Sequence, residues 1–219
     1  MAQSDNLARN PAHNPARNPV VLVHGIWNTA GIFSTLKAYL EHEGWQVYAL
    51  SMTPNNGDAP LESLAQQVAD FINQHLGAQQ PFDLVGFSMG GLISRYYVQR
   101  LGGLARVQRL VTVSAPHQGT VLGLFSDRFG IRQMRPNSPF LRSLNQDIHQ
   151  LKRLHFVSLW TPFDLLILPP WSSQVPIGQV QRLSVSAHNQ MIQDPQGLKA
   201  ISQALLTSAS AFPIKSDLS

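Results

Sequence analysis

The chain has 219 residues, of which 43% are hydrophobic and 13% charged, with 15 Gly and 15 Pro. That is the size of one domain, too apolar for disorder and too interrupted by breakers for a coiled coil. Cys is absent, which excludes a disulfide framework, a zinc–thiolate site and a cysteine nucleophile together, and no apolar run approaches the roughly 20 residues that cross a bilayer. The net charge of +4 sits in one place. Residues 121–153 hold Arg128, Arg132, Arg135, Arg142, Lys152 and Arg153 against Asp127 and Asp147, and the remainder is balanced. The same segment carries Leu122, Leu124, Phe125, Phe129, Ile131, Met134 and Phe140. Basic and apolar residues together suit an anionic lipid surface better than a groove that tracks phosphates, so no nucleic-acid partner is expected. The alternative is a solvated loop kept soluble by its arginines.

In chain order, residues 1–19 contain Asn10-Pro11, Asn14-Pro15 and Asn18-Pro19 and no apolar core of a signal peptide. They read as a disordered lead-in to a single domain over 20–219, and the expected location is cytoplasmic, peripheral to a membrane at most. Val20–Val23 is a strand buried on both faces, closed by His24-Gly25. A helix follows through Phe33, Leu36 and Leu40 to Gly44, and Trp45–Leu50 reads as a second strand. Leu61, Leu64, Ala65, Val68, Phe71, Ile72 and His75 repeat at helical spacing, with Gly77 placed as the C-cap. Phe82–Val85 is a strand, 86–91 a tight turn, Leu92–Leu101 a helix and Val107–Ser114 a strand. The pattern breaks after Pro116 and resumes with strands over His155–Trp160 and Val180–Val185 and a helix over Pro195–Leu206. Strands alternating with helices predict an α/β architecture, a mostly parallel sheet with helices on both faces.

Gly86-Phe87-Ser88-Met89-Gly90 matches G-x-S-x-G. As a bare pentapeptide the pattern is weak, but here it follows a strand and opens a helix, the setting its mechanism requires. The turn would lift the Ser88 hydroxyl above the carboxyl edge of the sheet, at a helix N-terminus whose dipole favours developing negative charge. A serine hydroxyl needs a base oriented by a carboxylate, and in this arrangement the partners follow in the order Ser, acid, His. His188, between the last strand and the last helix, is the expected base. His155 starts a strand at the wrong edge, His149 lies in the irregular segment, and His117 precedes any acid. Asp164, four residues beyond the strand His155–Trp160, is the expected acid, with a turn cap as its competing role. Asp127 and Asp147 lie in the irregular segment and Asp194 follows the histidine. The backbone N–H groups of Met89 and Ile26 are the expected oxyanion donors. His24 reads as a structural pin, and Trp27 either lines an acyl pocket or covers the sheet edge.

Val21-Leu22-Val23-His24-Gly25, Gly86–Gly91, Ser114-Ala115-Pro116-His117-Gln118-Gly119-Thr120 and Ser138-Pro139-Phe140-Leu141 occur in this order. Together they resemble the bacterial triacylglycerol lipases of the α/β-hydrolase superfamily, the small members in particular, over about residues 18–210. The resemblance implies hydrolysis of carboxylic esters, of acyl-glycerol or membrane-lipid type, through an acyl-enzyme, with no organic cofactor. It places a mobile lid at about 121–153, for which a fixed helical cap is the alternative. Phe87 stands where many such lipases carry His, and the acidic cluster that larger relatives use for calcium is missing, so no metal is carried over. Leu165-Leu166-Ile167-Leu168 either meets lipid chains or packs as a buried loop. The rival functions are an acyltransferase or thioesterase with the same three residues, and a ligand-binding protein on a hydrolase scaffold.

Overall fold

The computed structural model describes residue 14 and residues 16–207. Six strands form one parallel sheet: β1 (Val20–Val23), β2 (Val47–Ala49), β3 (Phe82–Phe87), β4 (Val107–Val113), β5 (His155–Trp160) and β6 (Gln179–Arg182). Their order is β2-β1-β3-β4-β5-β6, so the chain first winds outward from β1 and then reverses past it. The loops after β1 and β3 therefore leave adjacent strands in opposite senses, and the crevice between them lies at the carboxyl edge of the sheet, where open α/β sheets bind ligands.

Side-chain alternation builds one core on each face. Val21, Val23 and Leu84 face helices α2 (Leu61–His75) and α3 (Met89–Arg100). Val20, Leu22, Val85 and Phe87 face α1 (Ser34–His42) and α6 (Pro195–Leu206). Burial on both faces explains why β1 reads as a continuous apolar run and why β3 is apolar but for the buried Asp83 near its start.

Several boundaries differ from the sequence reading. Helix α3 begins at Met89 rather than Leu92, because Ser88 alone forms the turn and Met89-Gly90-Gly91 already coil. Helix α2 ends at an extended Leu76, so Gly77 is not a left-handed cap. Strand β2 keeps only Val47–Ala49, and β6 is an edge strand, exposed at all four residues, whose pairing with β5 ends at Arg182. The segment after Pro116 contains α4 (Phe129–Gln133), α5 (Pro139–Gln146) and several 3-10 turns. Its helices are too short to declare themselves by periodicity, and α5 is marked mainly by Ser138, which accepts from the Leu141 N–H, and by Pro139 in the first turn.

Of the expected lead-in, residues 1–13 and 15 lie outside the described residues. From residue 16 the chain is packed: the Arg17 guanidinium lies 4.0 Å from the Trp45 ring, and Asn18 donates to Asp83 and Gln108. Among the described residues no helix is long and apolar enough to cross a membrane.

Candidate active site

Ser88 connects β3 to α3 with φ 56° and ψ −126°, a backbone conformation L-residues rarely adopt. Close packing enforces it. A Cβ on Gly90 would lie 2.1 Å from the Val23 carbonyl oxygen, and one on Gly86 would lie 2.6 Å from the Gly90 oxygen. The Ser88 N–H donates to the Val113 carbonyl at 2.8 Å, tying the turn to β4.

The loop after β1 runs directly against this turn, since a Cβ on Gly25 would stand 2.8 Å from Ser88 Cβ. His24 holds the loop as expected. Its Nε2 accepts from the Met52 N–H at 2.9 Å and its Nδ1 donates to the Gly25 carbonyl at 2.8 Å. Burial, opposed by that backbone bond, lowers its pKa, so it remains neutral. Among the described residues the N–H groups of Ile26 and Met89 have no hydrogen-bond partner, which leaves two donors beside the Ser88 hydroxyl.

His188 and Asp164 meet. Nδ1 of His188 donates to Asp164 Oδ2 at 2.7 Å, with both side chains almost fully buried. Phe87, the neighbour of Ser88, packs its ring 4.7 Å from the imidazole and holds it beside the turn. With Nδ1 protonated, the Nε2 lone pair is left free. Among the described residues Ser88 Oγ makes no hydrogen bond, a looseness common before substrate closes such a site. Asp164 also fills its competing role, since its second oxygen accepts from the Leu166 and Ile167 N–H groups at 2.9 Å each. Burial is the largest influence on its carboxyl and pushes the pKa up. The bond from His188, the imidazole's charge and the two backbone N–H groups outweigh it and hold the pKa below the usual value.

The other acids are engaged elsewhere. Asp127 pairs with Arg135, Asp147 with Arg100, and Asp194 caps α6. His117 is fully buried against Arg95, which the sequence reading did not single out. Trp27 does not cover the sheet edge: it has φ 57° and projects, 68% exposed. The loop after Asp164 divides, with Leu165 and Leu166 exposed and Ile167 buried. Among the described residues no group of three or more His, Cys, Asp or Glu could hold a metal ion.

A parallel sheet with this strand order, with a strained serine at the β3–α3 turn, has the architecture of the α/β-hydrolase fold. Solved structures agree: the mature lipase of Bacillus licheniformis superposes with a TM-score of 0.74 at 14% identity, covering 88% of this chain and 94% of that one. Lipase B of Aspergillus fumigatus gives 0.73 at 18% identity, covering 96% and 60%. In sequence, the palmitoyl protein thioesterase family model matches residues 19–123. Palmitoyl-protein thioesterase 3 of Dictyostelium discoideum is 29% identical over 106 residues, 46% of this chain and 36% of that protein. A triacylglycerol lipase of Pseudarthrobacter phenanthrenivorans is 29% identical over 110 residues, 47% and 34%. The match spans about a third of the length of these curated relatives. The chain thus has the α/β-hydrolase fold and is similar to small lipases, and the family-model match holds the Ser88 turn but ends before Asp164 and His188.

Proposed function

We propose that the protein is a serine carboxylic-ester hydrolase that cleaves acyl-glycerol or membrane-lipid esters through an acyl-enzyme. The observation that carries this reading is the buried 2.7 Å Asp164–His188 bond, packed by Phe87 beside the strained Ser88 turn. His188 Nε2 takes the Ser88 proton as Oγ attacks the ester carbonyl, and the Ile26 and Met89 N–H groups receive the oxyanion. The imidazolium, stabilised by Asp164, returns that proton to the departing alcohol. Water, deprotonated by His188, then adds to the acyl-serine and releases the fatty acid, with the proton returned to Oγ. Ser88→Ala should lower turnover of a short p-nitrophenyl ester by roughly 10⁴–10⁶-fold, and retained turnover or a failure of fluorophosphonate to label Ser88 would remove the assignment.

The lipid preference rests on the rim of the site. Trp27, Leu122, Leu124, Phe125, Phe129, Phe163, Leu165, Leu166 and Trp171 are exposed on the loops at the carboxyl edge, with Arg128, Arg132 and Arg142 among them. This supports contact of the 121–153 segment with an anionic lipid surface. The rate on anionic vesicles should exceed that on zwitterionic ones and fall with salt; equal rates would remove the contact. The thioesterase reading is supported by the family model over residues 19–123 and by the 29% identity to palmitoyl-protein thioesterase 3 of Dictyostelium discoideum over 106 residues. The ratio of kcat/KM for a palmitoyl thioester and the matching oxygen ester decides between the two.

A further inference from the structure

The stretch Ala115–Thr120 belongs to the sequence signature, yet none of its side chains enters the chemistry above. Its last residue lies where three elements meet. Thr120 is 6% exposed and directly precedes the 3-10 turn Val121–Phe125 that begins the 121–153 segment. Its Oγ1 donates to the Leu166 carbonyl at 3.0 Å and accepts from the Leu168 N–H at 3.0 Å. The Val121 N–H adds a bond to the Leu168 carbonyl at 2.8 Å, and the Thr120 N–H donates to Met134 at 2.8 Å.

The loop so held is the one that positions the acid. Asp164 Oδ1 accepts from Leu166 and Ile167, so the backbone of 166–168 is gripped on one side by the carboxylate and on the other by the Thr120 hydroxyl. On the near side, Thr161 Oγ1 donates to the Val185 carbonyl at 2.5 Å and ties the same loop to the segment carrying His188. A carboxylate that spends one oxygen on its own loop can aim the other at an imidazole only if that loop is fixed. Leu165 and Leu166 on the outer face are 76% and 51% exposed and supply little packing. Beyond the Thr161 tie, fixation therefore falls to the buried Ile167 and to three hydrogen bonds from the root of the 121–153 segment, two made by the Thr120 hydroxyl and one by the Val121 N–H.

We propose that Thr120 is a positioning residue for Asp164, and that through it the root of the 121–153 segment sets how the carboxylate meets His188. The inference rests on the catalytic reading above for its effect on rate, but not for its effect on the Asp164–His188 contact.

Thr120→Val keeps the shape and removes both hydroxyl bonds, whereas Thr120→Ser keeps the hydroxyl. With a short soluble ester, T120V should lose about 10–100-fold in kcat while KM stays within about threefold. The acid limb of its kcat/KM profile should move to lower pH, because a loosened carboxylate stabilises the imidazolium less. T120S should restore both. The low-field NMR resonance of the His188 Nδ1 proton, recorded in the cold, reads the same contact without turnover and serves even for a variant of lowered melting temperature. It should shift or broaden in T120V and return in T120S. An unchanged resonance and unchanged kcat in T120V, or a loss that serine does not restore, overturns the proposal. Retained activity in Ser88→Ala instead overturns the catalytic reading and leaves the resonance test standing.

Discussion

Two buried histidines stand at the carboxyl edge of the sheet, one after β4 and one after β6, and their rings are held in opposite tautomers. His117 Nδ1 faces the Arg95 guanidinium at 3.2 Å, and since a guanidinium only donates, Nδ1 must accept and Nε2 must carry the proton, donated to Thr112 Oγ1 at 2.9 Å. His188 Nδ1 faces a carboxylate and must donate. Burial first, and the Arg95 charge second, lower the His117 pKa well below its ordinary value, so that ring is neutral near pH 7. Both rings are buried, and what differs is the partner at Nδ1, a carboxylate for one and a guanidinium for the other.

The sharpest way to break this contrast is to neutralise the carboxylate. Asp164→Asn should cost about 10³–10⁴-fold in kcat, because an amide can accept or donate and no longer fixes the Nδ1–H tautomer. Steady-state assays of a correctly folded variant check it, and a loss below tenfold would return the ring's orientation to packing alone. A smaller effect comes from the other ring. Arg95→Met removes a fully buried cation whose main-chain acceptor, the Leu144 carbonyl, still receives Gln99 at 2.9 Å. The His117 pKa should rise, while kcat stays within about threefold; ring-proton NMR against pH reads the first and ester turnover the second.

The smallest effect extends the contrast to two buried aspartates. Asp83, near the start of β3 and far from Ser88, is raised to about 6, chiefly by burial, against the pull of Arg109 at 3.2 Å and of Asn18. Raised in the folded state, it binds its proton more tightly there than when unfolded. Its contribution to stability is present below the unfolded value of 3.8 and is lost as pH rises to about 6. Asp164, lowered in the folded state, contributes above the unfolded value and loses that contribution as pH falls through its depressed pKa. Denaturant titrations across pH 4–6 should show a falling component on the order of 2 kcal/mol that Asp83→Asn removes.

The sequence made the centre of the sheet legible because β1 is an unbroken apolar run closed by His24-Gly25 and β3 and β4 are mostly apolar, and α2 and α6 repeat with a clear period. Ser88 was legible through local backbone chemistry, and Asp164 and His188 through their places after β5 and before α6. The short α4 and α5 were not, because contacts with Gly57, Glu62 and Gln99 decide them and no repeat does. Nor did any pattern mark Arg95, since a fully buried cation at a helical position looks in sequence like a solvated one. Thr120 lay within a motif, but its partners are 46 and 48 positions away, beyond the reach of local spacing.

The missing Cβ at Gly90, with only 2.1 Å to the Val23 oxygen, has a bearing on redesign. Even alanine there would have to push β1 aside, so position 90 offers no sequence freedom. An engineer retasking this scaffold can exchange the reacting groups one by one, but must transplant the main-chain path of the pentapeptide whole.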